Sequence, residues 1–141
     1  MATSPTQRTL QRLRKLGYEP DVCERWLPAL VQPARGQVPA LFRLVKRRDL
    51  FGFADVAAVK AGEPILLVQA TTGSNTGARV AKILAEPRAR LCLTAGAQIE
   101  VWGWRKLKLR RGGKAIRWEP KIQAITLEDF GSPLAEHSPG G

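Results

Sequence analysis

The chain has 141 residues, 44% of them apolar and 25% charged, which favours one globular domain and excludes a long disordered chain. Lys and Arg number 23 against 12 Asp and Glu, a formal net charge of +11, so the expected partner is a polyanion, above all nucleic acid. No apolar run approaches the roughly 20 residues that cross a bilayer, and the first ten residues lack a signal-peptide core. We therefore expect a cytoplasmic protein with no membrane partner.

The cysteine and histidine content argues against several kinds of site. Cys23 and Cys92 have no CxxC spacing and no neighbouring histidine, which excludes a zinc site. Two reduced thiols are expected in preference to a disulfide between them. His137 is the only histidine and lies in a C-terminal tail predicted over residues 128–141, so histidine catalysis is not expected. No small-molecule cofactor is expected either.

The first predicted element is a helix that follows the capping residue Ser4 and ends at Gly17. Leu10, Leu13 and Leu16 form its apolar stripe. A basic row lies on another face and is a candidate phosphate-binding edge in a chain of this charge: Arg8, Arg12 and Lys15.

The next segment alternates as a strand over residues 18–27, which Pro28 is expected to end. Residues 28–39 contain three prolines and are predicted to form a loop. A second strand is predicted over 41–45. It leads into a basic run that could bring phosphates to the residues that follow: Lys46, Arg47 and Arg48.

A hairpin forms the centre of the predicted sheet, with apolar strands over residues 53–60 and 64–71. Its three-residue turn makes the residue numbers of each cross-strand pair sum to 124. This places Asp55 opposite Gln69 and Phe53 opposite Thr71, with Thr71 on the same face as Gln69. A carboxylate on this otherwise apolar face needs a partner or a cation. Asp55 is therefore either a hydrogen-bonding residue at a strand start or the ligand of a hard divalent ion.

The remaining pattern is that of two helices followed by two strands and a tail. The predicted helices span 76–85 and 88–94, the strands 98–106 and 115–126, and the connecting basic turn 107–114. Together these elements predict a small α/β or α+β domain over residues 1–127, with a mixed sheet flanked by helices.

The last two strands carry a dense basic cluster: Arg105, Lys106, Lys108, Arg110, Arg111, Lys114 and Arg117. Trp102 and Trp104 either stack on bases beside these charges or belong to the core, whereas Trp118 is expected to pack in the core. The cluster favours DNA binding by shape and charge, with a strong dependence on salt.

Two runs, DLFGFADV at 49–56 and ILLVQAT at 65–71, resemble the core of the PD-(D/E)XK nuclease superfamily. The similarity is greatest to its small Holliday-junction-resolvase-like branch and to phage-type relatives. In that family a helix precedes a strand, a hairpin carries an Asp and then Glu-x-Lys, and a helix follows. The same order holds here from Thr6 to Leu84, and residues 98–117 are similar to the Trp-rich basic ending of the phage-type relatives. The resemblance implies a restriction-endonuclease-like α/β fold.

The resemblance also implies a metal site for Mg²⁺ or Mn²⁺. Asp55 would be the main ligand, and Gln69 would occupy the family's Glu position and bind the ion through its carbonyl oxygen. Asp49 or Glu24 could supply the second carboxylate.

The family's lysine is replaced by Thr71, which cannot activate water or stabilise negative charge as lysine does. Lys82 or Arg79, on the helix that follows, could reach back over the site, whereas Lys60 lies at the far turn.

The function implied is metal-dependent hydrolysis of DNA by an endonuclease, on substrates that include branched DNA, with two copies acting as a homodimer. Two alternatives remain open at this point. One is a nuclease-fold protein that binds nucleic acid without cutting it, and the other is a basic component of a ribonucleoprotein particle.

Overall fold

A computed structural model describes residues 3–29 and 44–131 of the chain. The first helix, α1, spans Pro5–Lys15 and begins as its capping sequence predicts, because the backbone N–H of Gln7 donates to the Ser4 hydroxyl at 3.1 Å. Leu10 and Leu13 are buried against the sheet.

The strands of the described residues form two sheets. They are β1 Glu19–Val22, β2 Arg25–Ala29, β3 Leu44–Arg48, β4 Val56–Val59, β5 Leu66–Thr72, β6 Gln98–Lys108 and β7 Ile116–Ile125. The larger sheet is mixed and five-stranded, in the order β1-β4-β5-β6-β7. Within it β5 and β6 are parallel, and the other neighbours are antiparallel. Strands β2 and β3 pair separately as a two-stranded sheet.

Helices cover both faces of the five-stranded sheet. Helix α1 packs on one face against a cluster that includes Val68 and Trp102. Helices α2 (Thr76–Leu84) and α3 (Pro87–Thr94) pack on the other against Ile99 and Val101. The fold is thus a small α/β domain with a mixed sheet flanked by helices, as expected. None of the helices in the described residues is long and apolar enough to cross a membrane.

The hairpin has the predicted register, because Val56 lies opposite Val68 and the pairs sum to 124. Its first strand is shorter than the predicted 53–60. Phe53 does not reach Thr71, and its N–H instead donates to the carbonyl of Leu50 in a tight loop. The predicted pairing of Phe53 with Thr71 is therefore wrong.

The strand predicted over residues 18–27 is divided between two sheets. Strand β1 ends at Val22, and β2 begins at Arg25 and continues through Pro28 to Ala29, so the prediction that Pro28 ends the strand is wrong. Most of the predicted loop, and residues 41–43 of the next predicted strand, lie outside the described residues. Strand β3 begins at Leu44.

Residues 128–130 belong to a 3₁₀ turn, Leu127–Phe130, and not to a tail as predicted. The Thr126 N–H donates to the Asp129 carboxylate at 2.7 Å, and Phe130 packs against the core beside α3. The rest of the predicted tail, with His137, lies outside the described residues.

Candidate metal centre and cationic surfaces

Asp55 is fully buried immediately before the start of β4. Its N–H donates to the carbonyl of Val68 at 2.9 Å. Its Oδ2 accepts hydrogen bonds from the Gln69 amide at 2.8 Å and from the backbone N–H of Ala70 at 2.9 Å. The carboxylate is therefore held in one orientation by donors from the neighbouring strand.

Gln69 faces Asp55 as the register predicted, but through its amide nitrogen. Its side chain is fully buried, and its Oε1 has no hydrogen-bond partner among the described residues. In this arrangement Gln69 orients the carboxylate. Coordination of an ion by its oxygen stays a prediction.

The loop between β3 and β4 brings Asp49 back to Asp55. A pair of backbone hydrogen bonds between Leu50 and Ala54 closes it, and Gly52 turns the chain with a φ of 81°. Phe51 also has a positive φ, 55°, which is uncommon for an aromatic residue. The two acids, six positions apart in sequence, become neighbours because the chain reverses between them.

Glu24 joins them from a third segment. The N–H of Cys23 donates to the carbonyl of Asp55 at 2.7 Å, which holds the β1–β2 connection beside the end of β4. One oxygen from each of Glu24, Asp49 and Asp55 lies within 4.8 Å of the others. The sequence offered Asp49 and Glu24 as alternative second carboxylates, and the fold brings both to Asp55.

Lys82 of α2 brings a positive group to this cluster. Its Nζ lies 3.9 Å from Asp49 Oδ2, and 45% of its side chain is exposed. Lys82 therefore reaches the acids, as the sequence analysis suggested for a cation on this helix. Lys60 does not, because its ammonium donates to the carbonyl of Leu16 at 2.9 Å at the other end of the hairpin.

A groove of about 530 Å³ begins at Glu24 and runs past the end of β5 to the first turn of α1. Thr71 lines it and is 5% exposed. Arg79 of α2 and Asn75 line the same groove. Thr71 is thus placed beside Glu24 and Arg79, and no hydrogen bond to Asp55 is seen for it in the described residues.

A second groove, of about 490 Å³, begins at Asp49. Three arginines that line it come from separate segments of the chain: Arg25, Arg48 and Arg88. Arg25 and Arg88 did not stand out in the sequence, because each is an isolated cation and only the fold places it beside the acids. The side chains of Lys46 and Arg47 lie outside the described residues.

Cys23, next to Glu24, is a free thiol, as is Cys92. Burial raises the pKa of Cys23, and the neighbouring carboxylate of Asp21 raises it further, with smaller contributions from Asp55 and Asp49. Burial also raises the pKa of Cys92. Because both pKa values are raised above the ordinary value, Cys23 and Cys92 are protonated thiols near neutral pH.

Trp102 and Trp104 are 1% and 4% exposed, so the alternative that they stack on bases is wrong. The indole N–H of Trp104 donates to the Thr9 hydroxyl at 2.9 Å, and that of Trp102 donates to Glu100 at 2.9 Å. Both rings lie under α1, which covers this face of the sheet.

The basic row of α1 meets the basic cluster of β6 and β7 at Trp104 and Trp118. The Arg8 guanidinium lies 3.8 Å from the centre of the half-buried Trp118 ring, and Lys106 lies 5.4 Å from it. Arg12 lies 5.5 Å from the Trp104 ring and 3.6 Å from Glu119. Two clusters that are separate in sequence therefore form one continuous cationic surface.

No family model, curated protein or solved structure matches this chain. Any assignment of function therefore rests on the geometry of the site itself.

Proposed function

We propose that this chain is a metal-dependent DNA endonuclease of the PD-(D/E)XK type, with Mg²⁺ or Mn²⁺ held by Glu24, Asp49 and Asp55. The observation that carries the proposal is the meeting of three carboxylates from three segments of the chain beside Lys82. Carboxylate oxygens are the ligands that these hard ions prefer, so the donor set fits the ion.

A divalent ion at these carboxylates would polarise the scissile phosphate and lower the pKa of a bound water, which supplies hydroxide at neutral pH. Gln69 and the Ala70 N–H hold Asp55 in one orientation, so that little rearrangement is needed for it to bind an ion. Lys82 is long enough and exposed enough to place its ammonium against a phosphate and stabilise the charge that develops there.

The two grooves that begin at the acids give a DNA backbone a path through the site. Arg79 lies in one groove, and Arg25, Arg48 and Arg88 lie in the other. Phosphates on either side of the scissile bond would lie against these cations, while the acids and the ion act on the bond between them. The net charge of +11 supports a polyanionic substrate.

A nuclease-fold protein that binds DNA without cutting it is the second candidate. The observation that favours it is the neutral pair at the family's Glu and Lys positions, Gln69 and Thr71. An amide weakens ion binding relative to a carboxylate, and a hydroxyl cannot replace an ammonium. Branched substrates and a homodimer stay predictions of the resemblance.

Cleavage of supercoiled plasmid and of a four-way junction, in Mg²⁺, Mn²⁺ or EDTA, tests the proposal. Wild type should cut only with a divalent ion, and Asp55→Asn, which keeps the shape of the side chain, should cut at least 100-fold more slowly. Glu63→Gln, which removes a carboxylate at the far turn of the hairpin, is the matched control and should cut as wild type.

Calorimetry of Mn²⁺ binding to the same proteins separates the two candidates. Ion binding that disappears in Asp55→Asn, together with cutting by wild type, supports the nuclease. Ion binding without cutting would favour the second candidate, and equal cutting by Asp55→Asn would overturn the assignment of the site.

A further inference from the structure

The last two strands extend beyond the rest of the sheet. The pairing of β5 with β6 ends at Trp104, which lies opposite Thr72. The pairs from Arg105–Glu119 to Lys108–Ile116 continue between β6 and β7 alone, and the N–H of Leu109 donates to the carbonyl of Ala115 at 3.0 Å. At about 3.4 Å per residue, these four pairs form a two-stranded ribbon roughly 14 Å long, before the turn at its tip.

The ribbon is strongly cationic. Residues 105–119 contain seven Lys and Arg and one carboxylate, that of Glu119. Glu119 lies at the base, where it pairs with Arg12 of α1 and with Arg117. The charges toward the tip therefore face no acid within the ribbon, and they are exposed: Lys108, Arg110, Arg111 and Lys114.

Two large apolar side chains lie exposed beside these cations. Leu109, which directly follows β6, is 55% exposed, and Ile116 of β7 is 47% exposed. Ile116 pairs with Lys108, the residue before Leu109, so the two apolar side chains lie on opposite faces of the ribbon near its tip. Exposed apolar side chains can contact base edges in the major groove, such as the thymine methyl group, while neighbouring cations reach the phosphates.

The tryptophans at the base of the ribbon, Trp104 and Trp118, do not offer a stacking platform of the kind that single strands require. Trp104 is in the core, and the Trp118 ring is covered by Arg8 on one side and approached by Lys106. The ribbon is therefore better suited to contact a groove of a duplex than to stack on the bases of a single strand.

We propose that the tip of this ribbon, residues 105–119, enters the major groove of B-form duplex DNA, with Leu109 and Ile116 contacting base edges from its two faces and the tip cations on the flanking phosphates. The major groove is about 12 Å wide and 8.5 Å deep and admits a two-stranded β-ribbon, whereas the major groove of duplex RNA is too narrow for side chains to read. The inference deepens the proposed nuclease function by naming duplex DNA as the substrate, and it rests on that function only for the reaction.

Binding of one labelled sequence as 20-base-pair DNA, as single-stranded DNA and as duplex RNA tests the proposal in EDTA, where no cutting occurs. Wild type should bind the DNA duplex at least 10-fold more tightly than the other two. Methyl green, a major-groove ligand, should displace it, and netropsin, a minor-groove ligand, should not. Equal affinity for the three forms, or displacement by netropsin alone or by neither ligand, would overturn the proposal.

The variant R110Q/R111Q/K114Q removes tip charges from exposed positions. It should bind duplex DNA at least 30-fold more weakly, with the slope of log K against log salt reduced by about one for each phosphate that the ribbon no longer neutralises. The control R14Q/R90Q/K121Q removes the same charge elsewhere and should lose less than 3-fold. Similar losses in the two triple variants would overturn the role of the ribbon.

L109S/I116S keeps every charge and should bind at least 5-fold more weakly without a change in salt slope. An unchanged affinity would contradict the contact of these side chains with bases.

Circular dichroism checks that each variant is folded, and the displacement of wild type by groove ligands does not depend on any variant. If wild type binds duplex DNA through the ribbon but does not cut it in Mg²⁺, only the proposed nuclease function is wrong. If wild type cuts DNA and its binding does not depend on the ribbon, only this inference is wrong.

Discussion

The amide nitrogen of Gln69 donates to Asp55 Oδ2 at 2.8 Å, inside the protein, where both side chains are fully buried. A glutamate at position 69 would place two carboxylate oxygens at this distance, and their repulsion would require a cation or a proton. Glutamine avoids that repulsion, because its N–H₂ group donates a hydrogen bond to Asp55 Oδ2. The neutral residue at position 69 thus has a structural reason, at the expense of one negative charge that could bind an ion.

Gln69→Glu should therefore make folding depend on divalent ions. Without an ion we expect the free energy of unfolding to fall by roughly 3 kcal/mol, because a buried charge-assisted hydrogen bond is replaced by a repulsion. With millimolar Mg²⁺ or Mn²⁺, much of the loss should be recovered, as measured by urea unfolding. Gln69→Leu, which loses the hydrogen bond but adds no charge, should show no such recovery. Equal losses with and without the ion in Gln69→Glu would contradict ion binding at Asp55.

Lys82→Met should slow cleavage while leaving the affinity for DNA nearly unchanged. The ammonium lies 3.9 Å from Asp49 Oδ2 and is proposed to act on the charge that develops in the transition state. Removal of one such group costs about 10²- to 10³-fold in kcat. Lys82→Arg should recover part of the rate, and Lys121→Met should cut normally. A change confined to KM would show that Lys82 only binds DNA.

Gly103→Ala should destabilise the fold. A Cβ at this buried position of β6 would overlap the Thr76 hydroxyl and lie 3.1 Å from the Cα of Gly73. We expect a loss of about 2 to 3 kcal/mol in the free energy of unfolding, since overpacking forces the start of α2 away from the sheet. Thr76→Ala removes the overlapping oxygen, so the double variant should lose less than the sum of the two single changes. Strict additivity would mean that the two residues do not meet.

Glu86→Gln should lower stability at neutral pH but not in acid. The Arg88 guanidinium, hydrogen-bonded to Glu86 at 2.6 Å, lowers the pKa of Glu86 below its ordinary value of 4.5. A lowered pKa stabilises the folded state above the ordinary value, and this stabilisation is lost as the pH falls through the folded-state pKa. Thermal unfolding of both proteins, followed from neutral pH into strong acid, should therefore converge in acid. Glu86 also caps the start of α3, where its carboxylate accepts from the backbone N–H of Arg88 at 3.1 Å. A difference in stability that stays constant with pH would show that Glu86 acts only through this capping hydrogen bond.

Local patterns in the sequence predicted much of the fold. The capping residues identified the start of α1, and the three-residue turn set the hairpin register that puts Asp55 opposite Gln69. The alternation along β6 correctly divided Ile99 and Val101 from the two tryptophans. These features depend on residues that are close in sequence or on the two-residue period of a strand. The local sequence pattern can predict them for that reason.

Long-range contacts decided the rest. The alternation of residues along β6 showed that Trp102 and Trp104 share one face of the strand. It did not show that α1 covers this face, and this cover is what places the two rings in the core instead of beside stacked bases.

The sequence by itself determined the helices, the central hairpin, the excess of positive charge and the acids available to bind an ion. Only the tertiary structure decided that Glu24, Asp49 and Asp55 meet, and that Lys82 rather than Lys60 lies beside them. The physical reason is that distant segments are brought together by the loop between β3 and β4, which reverses the chain, and by the break between β1 and β2. Neither feature produces a repeating pattern of residues that could be recognised in the sequence.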